Sequence, residues 1–141
     1  MHIRIINGPN LDMLGRREPE VYGTRTFADY LEELRGAFPG HVIDHFQSNH
    51  EGELIEALRR AGEECGGVVL NAGGYTHTSV AIRDALAMVK VPVVEVHISN
   101  ILAREEFRHR SLLAAHCRGV LSGLGLDGYR LAVDHLVRNP A

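Results

Sequence analysis

The chain has 141 residues, 45% of them hydrophobic and 23% charged, and a formal net charge of -3. That length suits one domain burying about two-thirds of its unfolded surface, and the charge offers no electrostatic reason to expect nucleic acid or an anionic membrane as partner. The opening MHIRIINGPN is too short an apolar run for a signal peptide, no window approaches a membrane span, and Cys65 and Cys117 lack the spacing of a disulfide framework or zinc knuckle, so a cytoplasmic location is the default.

Ile3–Ile6 (IRII) reads as a buried strand stopped by Asn-Gly-Pro. Thr26–Phe38 reads as a helix, with Thr26 as its N-cap and Pro39-Gly40 as its stop. His41–Gln47 is a second strand, on or after which His41, His45 and His50 are expected as exposed polar residues. Glu51–Cys65 is a helix ended by Gly66-Gly67, and Val68–Leu70 a fully apolar third strand. Ser79–Val89 is a helix, Val91–His97 a fourth strand, and Glu105–His116 partly helical. Gly119–Gly123 is a fifth strand and Tyr129–Arg138 the closing helix. Helices alternating with continuous apolar strands predict a parallel sheet covered on both faces. The expected fold is α/β: a flavodoxin-like three-layer sandwich whose five parallel strands run in the order 2-1-3-4-5 within one domain, residues 1–141.

In that order the first, third and fourth strands are neighbours, so the segments that follow them should converge on one rim. These segments are NGPNLDMLGRREPEVYG, NAGGYTHTS and HISNILAREEFRHR. They hold Asn10, Arg17, Tyr22, Asn71, Tyr75, His77, Ser79, His97, Ser99, Asn100, Arg104 and Arg108, whereas the opposite rim, with Pro39-Gly40, Gly66-Gly67 and Lys90, carries little chemistry. Each residue also has a plainer reading. Asn7-Gly8-Pro9 is turn chemistry, and a loop tyrosine is more often a packing residue than a base. Arg17 in the same loop changes that balance, since a nearby guanidinium favours phenolate. His77 either caps the helix that begins near Ser79 or serves the site. His97 ends a strand, and Glu95, two positions earlier on the same strand face, is placed to hold its ring. Beyond it the His97–Ser99 backbone leaves the sheet and frees N–H groups for an anion. Nine histidines invite a metal reading, but none stands at HxH or HExxH spacing. Gly123-Leu-Gly125-Leu-Asp-Gly128 matches GxGxxG, yet too little chain follows for the next strand and its acidic residue, so it reads as a tight turn.

Taken together, NGPNLDMLGRREPEVYG, QSNHEGELIEAL, NAGGYTHTSVAIRDAL, VPVVEVHISNILAREEFRHRS and GLGLDGYRLAV resemble type II 3-dehydroquinate dehydratase over nearly the whole chain. Two stretches depart from that pattern: Ala72, where the family usually has proline, and LAAHCRGVL, where a proline-containing segment is common. The resemblance implies reversible dehydration of 3-dehydroquinate to 3-dehydroshikimate, with no metal, organic cofactor or Schiff base, in a dodecamer of four trimers. It implies that Tyr22, as tyrosinate, takes the proton beside the ketone, that Arg17 activates it, and that Asn10 steadies the enolate. His97 protonates the leaving hydroxyl and is oriented by Glu95. Asn71 with Ile98 and Ser99 holds the carboxylate, and His77 with Arg108 holds ring hydroxyls. Arg104 adds positive potential around the tyrosine, and Asp84 reaches a neighbouring subunit's site. Leu14–Gly23 is expected to act as a lid hinged at Gly15 and Gly23, with Arg16 as solvated surface. Two other classes stay open on the residues alone. One is a binding module holding a phosphate on the helix after Gly73-Gly74, and the other a metal-dependent hydrolase on the same rim.

Overall fold

A computed structural model describes residues 1–16, 20 and 24–141. Five strands, β1 (His2–Asn7), β2 (Val42–Gln47), β3 (Gly67–Asn71), β4 (Val93–His97) and β5 (Gly119–Ser122), form one parallel sheet in the order β2-β1-β3-β4-β5. This is the flavodoxin-like order expected from the alternation of elements. Four α-helices among the described residues cover it: α1 (Phe27–Ala37), α2 (Glu51–Glu64), α3 (Val80–Met88) and α4 (Asp127–Arg138).

The pleat sorts the strand residues into two cores. Ile3, Ile5, Val69, Val94 and Val96 pack with α1 and α4 through Leu31, Leu34, Tyr129, Val133 and Leu136. Ile6, Val68, Leu70 and Val93 pack on the other face with α2 and α3 through Leu54, Leu58, Ile82 and Leu86. β3 and β4 are buried along their whole length, whereas the edge strands β2 and β5 are partly open. At their carboxyl ends the strands turn polar in register. Asn7 lies beside Gln47 on one side and Asn71 on the other, and His97 lies beside Ser122.

The caps fall where the side-chain chemistry puts them. Thr26 accepts from Asp29 N–H at 3.2 Å at the start of α1, and Ser79 accepts from Ile82 N–H at 2.9 Å at the start of α3. Ser79 fills the role left open for His77, whose Nδ1–H donates instead to Arg110 O at 2.9 Å.

Three local expectations need correction. Gly67 does not end a helix; it opens β3, where an added Cβ would meet Leu136 Cδ2 at 3.1 Å. The closing helix starts two residues early, at Asp127. His45 is half-buried, with its ring tilted against Phe27 at 4.6 Å between centroids, rather than standing in solvent. Residues 105–116 are partly helical as expected, in two short 3₁₀ turns, Glu106–Arg108 and Ala114–His116.

Candidate active site

The loops after β1, β3 and β4 enclose a cavity of about 270 Å³ at the carboxyl edge of the sheet. Its wall takes Asn10 from the first loop, Asn71 and His77 from the second, and His97, Ile98, Ser99, Arg104 and Arg108 from the third. Pro9, Leu11, Met13, Leu14 and Ile101 supply an apolar side.

The first two loops are fixed against each other. Gly8 N–H donates to Asn71 O at 2.7 Å, and a Cβ on Gly8 would lie 2.5 Å from Ala72 O, so only glycine fits this approach. Asn10 adopts the left-handed conformation, φ 70°, which asparagine tolerates better than most residues. Its N–H donates to Asn49 Oδ1 at 3.0 Å.

His97 and Glu95 form the buried centre of the site. Glu95 is fully buried and His97 5% exposed, and His97 Nε2–H donates to Glu95 Oε2 at 2.5 Å. That bond commits Nε2 and leaves Nδ1 for proton exchange with a ligand. Glu95 Oε1 accepts from the Ser111 hydroxyl at 2.8 Å, so both carboxylate oxygens are paired and the charge is tolerable where it lies. The His77 ring lies beside that of His97, 6.2 Å between centroids and near-parallel. Because His77 gives Nδ1–H to Arg110 O, its Nε2 is the nitrogen left to a ligand.

Past His97 the backbone behaves as its departure from the sheet suggests. The carbonyls of His97 and Ile98 accept from Gly123 N–H at 3.2 Å and Gly125 N–H at 3.0 Å. Among the described residues, Ile98 and Ser99 N–H make no loop or turn backbone hydrogen bond. GLGLDG therefore has a task here: Gly123 and Gly125, at φ 88° and 61°, form a turn that holds the His97–Ile98 carbonyls. Two cations complete the wall. Arg104 donates to Ser99 Oγ at 3.2 Å, and Arg108 pairs with Glu105 at 2.9 Å.

The whole arrangement offers a buried imidazole on a carboxylate, backbone donors and two guanidiniums around a small-molecule cavity. A family model described as "Dehydroquinase class II" matches residues 1–137. The chain belongs to the class II dehydroquinase family. It is 52% identical over 139 residues to a 3-dehydroquinate dehydratase of Bacillus licheniformis, covering 96% of this chain and 95% of that one. It is 48% identical over 139 residues to a catabolic 3-dehydroquinase of Penicillium rubens, covering 97% and 90% of the two chains. Among solved structures, a type II dehydroquinase from Propionibacterium acnes superposes with a TM-score of 0.93 at 43% identity, covering 98% and 97% of the chains.

Of the residues expected to act in this class II dehydroquinase, eight line the cavity: Asn10, Asn71, His77, His97, Ile98, Ser99, Arg104 and Arg108. Glu95 lies behind His97. Asp84 lies apart, exposed on α3. Arg17 and Tyr22 fall outside the described residues. Among the described residues no group of three His, Cys, Asp or Glu side chains is placed to hold a metal ion. Lys90, the only lysine, is exposed between α3 and β4, at the amino edge of the sheet. Arg4, midway along β1, pairs with Asp44 at 2.8 Å and with Glu64 at 3.0 Å.

Ser111 was not foreseen. It lies 16 residues from Glu95 in a segment that reads as partly helical, and nothing local in the sequence marks it as the carboxylate's partner.

Proposed function

We propose that this chain dehydrates 3-dehydroquinate reversibly to 3-dehydroshikimate by anti elimination through an enolate, as one catalytic domain with a lid at about residues 14–23. The observation that carries this reading is the buried Glu95–His97 pair, set in a cavity whose remaining donors suit a polyhydroxylated carboxylate. Loss of a β-hydroxyl from a ketone needs a base for the α-proton, a stabilised enolate and an acid for the leaving group. Tyr22 as tyrosinate is the base, with Arg17 and Arg104 lowering the cost of its charge. The other tyrosines are poor candidates. Burial pushes Tyr30 up to about 12 and also raises Tyr129, while Tyr75 gives its hydroxyl to Asn49 O at 3.2 Å. Asn10 steadies the enolate oxygen, and His97 Nδ1–H protonates the departing hydroxyl while Glu95 holds the imidazolium. Asn71 Nδ2 and the N–H groups of Ile98 and Ser99 take the carboxylate, and His77 and Arg108 take the ring hydroxyls.

Lid movement starts after Leu14, which is buried in the core at 5% exposure. Gly15 is the first hinge: at φ 87° its α-carbon sits so close to Thr24 O that a Cβ would approach to 2.6 Å. Asp84 serves a neighbouring subunit in a cytoplasmic dodecamer. Its helix exposes Val80 and Met88 at 60% and 72%, apolar surface that assembly would cover. The relatives are named for the dehydration, one of them as catabolic, and either direction of carbon flow is a reasonable role for the chain.

The test is direct. Chelator-treated protein mixed with 3-dehydroquinate should generate the near-ultraviolet absorbance of the conjugated enone, and silence under those conditions removes the proposal. Tyr22→Phe should abolish turnover, by about a thousandfold or more, while sparing ligand binding. Unchanged turnover in that variant eliminates the tyrosinate.

A further inference from the structure

Leading back from Asn71, behind the cavity, runs a line of polar side chains of which only Asn71 has a part in the proposed site. It links four elements: Asn71 of β3, Tyr129 of α4, Asn7 of β1 and His45 of β2. Asn71, Tyr129 and Asn7 are 3%, 0% and 1% exposed, so none of their polar atoms is rescued by bulk water.

One backbone group fixes the direction of the whole line. Gly73 N–H donates to the Asn71 side chain at 3.1 Å, and a donor there demands the oxygen, Oδ1. The amide nitrogen of Asn71 is then the end that meets Tyr129, and it donates to the phenol oxygen at 2.8 Å. The phenol has a single hydrogen, which goes to Asn7 Oδ1 at 2.8 Å. Asn7 Nδ2 is left facing His45 Nε2 at 3.2 Å, so that nitrogen must be the bare acceptor of a neutral ring carrying its proton on Nδ1. Burial, with a smaller contribution from Arg35, lowers the pKa of His45, which agrees with a neutral ring. Every donor in the line has one acceptor, and reversing any link would set two donors or two acceptors face to face.

We infer that Tyr129 and Asn7 are positioning residues that lock the Asn71 amide with its nitrogen toward the substrate, so that the site reads a carboxylate in preference to a neutral group. The inference rests on the proposed role of Asn71 as a carboxylate donor. Asn71 Nδ2 has two hydrogens, and only one is given to Tyr129; the other is available to the cavity that Asn71 lines. An amide without the Tyr129 contact is held only by Gly73 N–H. When it rotates by half a turn it offers a carbonyl oxygen to the substrate, which a carboxylate rejects and a carboxamide accepts.

Tyr129→Phe removes one oxygen and keeps the ring that packs at 5.0 Å on Phe27. Affinities of wild type and variant would be measured by calorimetry for two competitive ligands differing only as acid and carboxamide. The preference for the acid should fall about tenfold, the value of a lost hydrogen bond to a charged group, with the carboxamide's affinity changed less than about twofold. In turnover the loss should fall on KM rather than kcat. Equal weakening of both ligands would show a merely structural effect and overturn the inference. Asn71→Ala separates the two levels of the argument. If the acid preference survives in Asn71→Ala, the carboxylate role of Asn71 itself is wrong. If it vanishes there but stands in Tyr129→Phe, only the positioning role is wrong. Should Tyr129→Phe fold poorly, nitrogen-15 NMR on the wild-type protein still decides the sense of the line. A neutral His45 protonated on Nδ1 supports it, and a proton on Nε2 overturns it.

Discussion

Glu95 reaches no solvent, and its two oxygens divide between His97 and Ser111. The Ser111 hydroxyl is itself saturated, because it accepts from Leu113 N–H at 3.1 Å and Ala114 N–H at 3.0 Å while donating to the carboxylate. Ser111→Ala would leave Oε1 buried without a partner and loosen the carboxylate that orients His97, the acid proposed for the leaving group. Turnover should drop roughly tenfold with KM nearly constant, and Ser111→Thr, which keeps the hydroxyl, should recover most of it. The downfield proton resonance of the His97–Glu95 bond should move in the alanine variant and return in the threonine variant; an unmoved resonance would count against the coupling. Residues of this kind were invisible in the sequence. Asn10, His97 and Arg108 announce themselves by chemistry and by their place after a strand. The partnership of Ser111 with Glu95, or of Tyr129 with Asn7 across 122 positions, exists only once the sheet has formed.

Among elements, the helices were the most legible, since Thr26 caps α1 where a short polar side chain precedes an apolar period. The segment 105–116 is helical only in part because its amphipathic pattern competes with stronger local partners. Ser111 captures the N–H groups of Leu113 and Ala114, and Leu112 N–H goes to Thr76 O at 2.9 Å, so the donors a continuous helix needs are already taken. Glycines make the sharpest test at this scale. Gly8→Ala forces a Cβ against the Ala72 carbonyl and should destabilise the fold by at least about 2 kcal/mol in urea unfolding. Gly36→Ala, in the last turn of α1 with open space around it, should instead stabilise by about 0.4–1 kcal/mol. A Gly8→Ala protein as stable as the parent would mean that the first and second loops are not packed as described.

The strand order was legible because alternation of helices and apolar strands leaves few topologies, and with the order came the meeting of three loops at one edge. What stayed hidden was the environment of each polar strand residue. His45 reads as a polar residue on an edge strand, yet it is enclosed by Phe27 and Asn7 with Arg35 and Asp44 near it. Its neutrality in the fold has a consequence for the entire molecule. The unfolded chain takes up a proton at the ordinary histidine value of 6.5, whereas the folded chain resists it. As pH falls from neutrality through that value, the unfolded state therefore binds more protons and stability declines, by up to about 1.4 kcal/mol per pH unit until the folded ring also titrates. His45→Gln offers an uncharged acceptor to Asn7 and should flatten this part of the stability–pH curve. Urea midpoints from pH 7.5 to 5 on both proteins measure the difference, and parallel curves would refute it.

Lys90 also matters in practical terms. It is the sole lysine, and it is exposed at the edge of the sheet opposite the cavity. A resin that couples through that lysine would attach the protein at one known point and in one orientation. The catalytic mouth would face outward, giving a surface-tethered protein of uniform presentation without a single engineered residue.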